Sequence, residues 1–235
     1  NKFKMIEVKN LIKKYSGIVV LDIPDLTILK GESFGLVGNN GAGKTTLFSL
    51  ILDLRRATKG SVLIKNHDVA KTENWKNFTG SYIDESFLID FLTPEEYFQF
   101  IANLHGLSKG DLQEFYQKYE DLFAGEIIGK KKYIRELSKG NQKKVGIAGS
   151  LISKPEVVVL DEPFSNLDPS SQIRLKNMFK TMKSEDSVTM LISSHDLNHV
   201  TEVSERIVIL DKGNIVHDLQ ASNKTLEELE SYFAI

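Results

Sequence analysis

The octapeptide Gly38-Asn39-Asn40-Gly41-Ala42-Gly43-Lys44-Thr45 constrains this chain more than any other stretch, because it meets every fixed position of the pattern G-x-x-x-x-G-K-[ST]. Its glycines let the backbone curl until successive N–H groups converge on phosphate oxygens. The helix that follows adds the positive end of its dipole. Lys44 suits the β- and γ-phosphates of a nucleotide, and Thr45 carries a hydroxyl able to ligate Mg2+. The context agrees: the apolar run Ser33–Val37 reads as a strand entering the turn, and Thr45 to about Leu54 reads as helix. A dinucleotide-binding reading fails, since Lys44-Thr45 suits phosphate and Mg2+ rather than a pyrophosphate turn.

A second motif completes the chemistry. Val157-Val158-Val159-Leu160-Asp161-Glu162 is an apolar strand ending in two acids. Carboxylates at the end of a buried strand are costly unless something uses them. Beside a phosphate loop, Asp161 would hold the Mg2+ shell, and Glu162 would orient and polarise the attacking water.

The rest of the chain reads as one α/β unit interrupted by helices. Ile6–Lys9 and Ser61–Lys65 alternate as half-exposed strands, whereas Val157–Leu160 and Val188–Ile192 lack alternation and suit a sheet covered on both faces. Arg206–Leu210 is a further strand, followed by a turn at Asp211–Asn214. Thr93-Pro94-Glu95-Glu96 is a helix start, with Thr93 as N-cap, Pro94 in the first turn and Glu96 closing a capping box. Tyr97, Phe98, Ile101, Ala102 and Leu104 follow at helical spacing and read as core packing. Asp111–Tyr119, Gln142–Ile152, a stretch from Asp168-Pro169 and the tail Thr225–Phe233 also read as helices.

Composition narrows the class. A net charge of −2 gives no basic face for nucleic acid, and the single basic run, Lys130–Lys132, reads as a solvated loop. Without cysteine, disulfides and thiolate metal sites are excluded, in agreement with a cytosolic protein. The N-terminal residues lack a signal-peptide core, and no apolar run approaches the roughly 20 residues of a membrane span. If the protein works at a membrane, something else must cross it.

At this point the sequence resembles the ABC ATPase family, the ATP-binding subunits of ABC transporters. The further residues that carry the match are Leu137-Ser138-Lys139-Gly140-Asn141-Gln142, similar to the family signature and 24 residues before Asp161; Ser165-Asn166-Leu167-Asp168, similar to the D-loop; Ser193-Ser194-His195-Asp196, similar to the switch-histidine segment; and Tyr15, where the family places an adenine-stacking aromatic. The resemblance implies a P-loop NTPase with a RecA-like α/β core, an N-terminal antiparallel β subdomain and an inserted α-helical subdomain. The division expected is 1–85 and 154–235 for the core with its β subdomain, and 86–153 for the insertion.

It also implies two such domains paired head to tail around two ATP molecules. One chain would supply residues 38–45, Thr46, Tyr15, the metal-shell residues Thr45, Asp161 and Glu85, and the catalytic residues Glu162 and His195. Ser138 and Gly140, with Asp168 of the D-loop, would complete the nucleotide site across the dimer. Hydrogen-bond donors would then surround the transferring phosphate only on closure. The implied partner is a separate membrane-spanning permease, which places the chain in the cytoplasm, peripheral on the membrane. Lys139 and Asn141 depart from the usual glycine and glutamine of the signature, and this form resembles the exporter-type subgroup. A second departure is Glu85, which stands where the family has its Q-loop glutamine.

Rival readings are weaker. His195 and His199 are four residues apart, as in a zinc pair, but Asp196 stands where a metalloprotease has glutamate and no third ligand is evident. Asn223-Lys224-Thr225-Leu226 lacks the acid of a guanine-specificity motif. Non-transport ABC proteins, of the translation or DNA-repair type, usually carry tandem ATPase domains or a long coiled coil, and here one domain fills the chain.

Overall fold

The computed structural model describes residues 3–221. The tail helix read at Thr225–Phe233 and the Asn223–Leu226 tetrapeptide lie outside the described residues. In chain order the elements are strands β1 (Lys4–Tyr15), β2 (Ile18–Leu29) and β3 (Ser33–Val37), helix α1 (Lys44–Ile51), then β4 (Lys59–Ile64), β5 (His67–Asp68) and β6 (Thr79–Tyr82). Helices α2 (Pro94–Leu104), α3 (Lys109–Lys118), α4 (Glu120–Phe123) and α5 (Lys139–Gly149) follow without an intervening strand. The chain then alternates through β7 (Val157–Leu160), α6 (Pro169–Asp186), β8 (Thr189–Ser194), α7 (Leu197–Val203), β9 (Arg206–Asp211) and β10 (Asn214–Gln220). This is the mixed α/β fold expected, with an antiparallel sheet and a run of helices set into the α/β alternation.

Two sheets organise these elements. One has the order β2-β1-β4-β5 and is antiparallel throughout. The other has the order β10-β9-β3-β8-β7-β6; it is parallel from β9 to β6, with β10 antiparallel at its edge. Every residue of β3, β7 and β8 is buried, which explains their apolar runs: a strand covered on both faces gains nothing from alternation. The pleat still sorts these side chains. Val157 and Val159 join the core shared with β1, β2 and α1, while Val158 and Leu160 join the core shared with the helical run and α6.

Several element boundaries differ from the sequence expectation, each for a local reason. Helix α3 begins at Lys109 rather than Asp111, because Ser108 is its N-cap and Asp111 is the third helical residue of a reciprocal capping box. Helix α5 begins at Lys139 rather than Gln142, since the Ser138 hydroxyl accepts from the Asn141 N–H at 3.2 Å. Helix α1 stops at Ile51, and Asp53 just beyond turns left-handed at φ 49°. Strand β8 runs on to Ser194, and strand β6 was not anticipated at all. The expected box at α2 is present: Thr93 N–H donates to Glu96 at 2.8 Å and Glu96 N–H to the Thr93 hydroxyl at 3.3 Å.

The helical run has an aromatic centre. Phe98 is fully buried and meets the rings of Phe115, Phe123 and Tyr116 at 5.2, 5.7 and 6.1 Å between centroids. On α2, Phe98 and Ala102 are core and Tyr97 and Ile101 pack against it, as the spacing indicated, but Leu104, at the end of the helix, is 70% exposed and not part of the core. Truncating Phe98 would remove the ring that joins α2, α3 and α4. Phe98→Ala is expected to lower the unfolding free energy by about 3–5 kcal/mol in urea titration, and a loss below about 1 kcal/mol would contradict this packing.

Candidate functional site: a phosphate loop facing two acids

The parallel sheet brings the candidate residues to one edge. Strand β8 lies between β3 and β7, with Val37 opposite Ser194 and Leu160 opposite Ile192. The C-terminal ends of these strands therefore open onto the phosphate-loop sequence after β3, Asp161-Glu162 after β7 and His195 after β8. Ligands of open α/β sheets bind at this end. A groove of about 660 Å³ lined by Phe115, Tyr119, Ile152 and Val188 lies instead where β7 and β8 begin, away from these groups.

The loop itself is tightly seated. Gly43 adopts φ 110° as the residue before α1, a conformation that side-chain-bearing residues rarely take. A Cβ on Gly38 would sit 2.3 Å from the Leu210 carbonyl oxygen, so only glycine lets the loop press against β9. The Gly213 N–H binds the Ala42 carbonyl at 2.8 Å, and Ala42 N–H binds the Asn39 carbonyl at 3.0 Å. Asn39, Asn40 and Gly41 are exposed along the open side, and Thr46 is half-buried in the first turn of α1.

Lys44 is buried, with its ammonium donating to the Gly38 carbonyl at 2.6 Å and lying 3.3 Å from Glu162 Oε1. The cation thus sits between the loop and the acid that follows β7, two strands away from β3.

Asp161 is the joint between the strands. Its Oδ2 accepts from Thr45 Oγ1 at 2.5 Å, its Oδ1 accepts from Ser193 Oγ, and its backbone N–H donates to the Tyr82 carbonyl at 2.9 Å. Burial pushes the Asp161 carboxyl up, and the two hydroxyl donors pull it back. Glu162 is held differently. Its backbone is left-handed at φ 47°, which costs an L-residue about 1–2 kcal/mol. The Ser193 hydroxyl fixes its N–H at 2.9 Å, and Lys143 Nζ and Ser165 Oγ fix its carbonyl at 2.8 and 3.0 Å. Glu162 Oε2 meets His195 Nδ1 at 2.9 Å, so the two candidate catalytic side chains are in contact. His199 turns elsewhere: its ring lies 4.7 Å from that of Phe164, and its Nε2 is 3.5 Å from Asp196.

The remaining candidates divide. Tyr15 ends β1 at the tip of a hairpin whose other strand passes over the loop, with Leu21 Cδ1 3.3 Å from the Cβ position of Gly43. Its ring carries the Lys13 ammonium 4.9 Å from the centroid, and its hydroxyl accepts from Arg55. Glu85 opens a short 3₁₀ turn after β6; its Oε1 is buried without a hydrogen bond and lies 3.9 Å from Lys143 Nζ.

Ser138 has its hydroxyl engaged in capping α5, and Gly140 packs against the D-loop, its Cβ position 2.9 Å from the Asn166 carbonyl. Asp168 caps α6, accepting from the Ser171 N–H and from the Ser170 and Ser171 hydroxyls, which hold its carboxyl far below the usual range. Sequence reasoning missed the roles of Ser193 and Lys143. The hydroxyl ending β8 was a readable signal, because its strand is the neighbour of β7. Lys143 offered none, since lysine in a helix ordinarily reads as solvated.

The donor set suits a small hard cation. Thr45 and Asp161 present adjacent oxygens, and Glu85 and Glu162 each carry a buried oxygen without a hydrogen bond. Among the described residues, no group of three or more His, Cys, Asp or Glu side chains forms a ready-made metal cage. Mg2+ is commonly held this way, by one or two protein oxygens together with substrate phosphates.

Comparison with known proteins agrees with this geometry. The family profile described as ABC transporter matches residues 21–165. The uncharacterized ABC transporter ATP-binding protein sll0415 of Synechocystis is 35% identical over 81% of this chain, and the bacitracin transport ATP-binding protein BcrA of Enterococcus faecalis is 30% identical over 93%. The chain spans 54% of the length of sll0415 and 70% of BcrA. Among solved structures, the dimeric post-hydrolysis ATP-binding cassette MJ0796 bound to ADP and Pi superposes with a TM-score of 0.82 at 25% identity, covering 93% of this chain and 100% of that one. A phosphate loop joined through Thr45 to the buried aspartate that ends β7, on this sheet and with these relatives, makes the chain a member of the ABC transporter family, among its ATP-binding subunits.

Proposed function

We propose that this chain binds and hydrolyses ATP with Mg2+ and drives export of a substrate through a separate membrane-spanning permease. The observation that carries the reading is the direct contact across strands: Thr45 on Asp161, and Lys44 against Glu162. The loop N–H groups and Lys44 bind the β- and γ-phosphates, and Tyr15 stacks on the base. Thr45 and Asp161 would hold Mg2+, with Glu85 close to its shell, and the ion when bound neutralises charge developing on the phosphates. Glu162 Oε1, which lies 3.3 Å from the Lys44 ammonium, orients the attacking water and receives its proton. His195 fixes the other carboxylate oxygen, so that the glutamate cannot swing away from the reacting phosphate.

Ser138 and Gly140 lie at the start of α5 and serve a second copy of the chain, in a head-to-tail pair. The dimeric state of MJ0796 with ADP and Pi supports this pairing. Residues 86–153 form a helical subdomain inserted between 1–85 and 154–235, and its α2 face meets the permease. The membrane-spanning subunit is inferred from the transporter family to which the chain belongs; among the described residues no helix is long and apolar enough to cross a membrane. The place of work is then the cytoplasmic face of the membrane. Export is supported by the Lys139-Gly140-Asn141 form of the signature, and BcrA, a relative named for bacitracin transport, fits a transport role.

Three outcomes test this. Glu162→Gln is expected to keep ATP binding and to slow hydrolysis by about 10²–10⁴-fold in the assembled transporter, the scale of losing a general base; unchanged turnover would remove Glu162 from that role. Lys44→Ala is expected to abolish tight ATP binding in calorimetric titration, and retained affinity would count against the phosphate loop. Purification from membranes is expected to yield a multi-span partner, whereas ribosomes or DNA alone would point to a non-transport ABC protein.

A further inference from the structure

One buried charge near the site belongs to none of the steps above. Lys143, on α5, is 4% exposed and directed at the strand ends. Its ammonium donates to the Glu162 carbonyl at 2.8 Å and to the Ser165 hydroxyl at 2.6 Å, lies 3.9 Å from Glu85 Oε1, and faces the Tyr82 ring at 5.7 Å. The helix can come this close because Gly146, one turn on, leaves room for the same tyrosine: a Cβ there would stand 2.4 Å from the ring. A buried ammonium is tolerated only when it is paired and hydrogen-bonded. Here the pairing anion is Glu85, the residue standing where the family has an uncharged glutamine, and one hydrogen bond ends on the strained backbone of Glu162, the other on Ser165.

We propose that Lys143 is a positioning residue for hydrolysis, charge-matched to Glu85: its ammonium holds the left-handed Glu162 backbone and neutralises the extra carboxylate beside the phosphate site. The proposal rests on Glu162 being the hydrolytic base. Lys143 bonds the Glu162 carbonyl and the Ser165 hydroxyl, so its effect is expected on the rate, through Glu162, rather than on nucleotide affinity. The carboxylate of Glu85 is an asset only while the ammonium faces it. Left alone, it places a third negative charge beside Asp161 and Glu162, whose own positions depend on Lys44 and on neutral hydroxyl donors.

The test compares the full chain with Lys143→Gln, Glu85→Gln and the double variant, by Mg·ATP kinetics and by thermal melting without nucleotide. Lys143→Gln is expected to lower kcat by about tenfold or more while KM stays within about threefold. Adding Glu85→Gln is expected to recover part of the lost turnover, because it removes the unneutralised carboxylate but not the missing bond to Glu162, and to raise the melting temperature above that of Lys143→Gln. Wild-type turnover in Lys143→Gln, or a double variant no better than Lys143→Gln in rate and melting, overturns the proposal. Should Lys143→Gln fail to fold, the double variant must still fold, and its failure overturns the pairing equally. Glu162→Gln run in parallel separates the two levels. If it retains wild-type turnover, the proposed function falls; if it is slow while Lys143→Gln is not, only this inference falls.

Discussion

The carboxylate of Asp161 is the point on which the site depends. It is buried at the end of β7 and accepts one hydroxyl from α1 and one from β8, tying three elements that are far apart in the chain. A buried carboxylate without such donors would be expensive, so its hydrogen bonds fix the spacing of the strand ends as well as the charge. Ser193 is the economical part of this joint. Its single hydroxyl donates to Asp161 and accepts from the Glu162 N–H, which links the two adjacent acids through one oxygen. The phosphate loop is positioned by the same joint, because Thr45 is the second residue of the helix that the loop launches.

Strain and charge are concentrated in the next residue. Glu162 is left-handed, and three groups from three elements hold it: Ser193 from β8, Lys143 from α5 and Ser165 from the D-loop. A strained backbone persists only where its surroundings over-determine it. That α5 also begins at Ser138, with Gly140 pressed on Asn166, means that the signature segment, the D-loop and the acid share one packed junction. Movement of α5 would therefore be felt at Glu162 directly.

Much of this was legible before any coordinates, for reasons of locality. The loop 38–45 and the Val157–Glu162 strand are contiguous, and their chemistry depends on neighbours in sequence. The capping box at Thr93 and the aromatic spacing of α2 are likewise local, and the structure bears them out. The misses have the opposite character. Strand β6 is only Thr-Gly-Ser-Tyr; it exists because it pairs with β7, and Gly80 is needed because Ser150 backs onto it, its carbonyl 1.9 Å from a Cβ position. The start of α3 was misplaced because Asp111, an acid in the first turn, looked like the beginning of the helix rather than its third residue.

By itself, then, the amino-acid order determined the phosphate loop, the acid-tipped strand and the α/β class, since each is written in short runs whose backbone and polarity requirements are met on the spot. Only the tertiary structure decided that Ser193 bridges the two acids and that Lys143 is a buried cation facing Glu85. The reason is distance along the chain. A side chain's charge and hydrogen-bonding capacity are set by its type, but its solvation and its partners are set by whichever elements the sheet order brings against it.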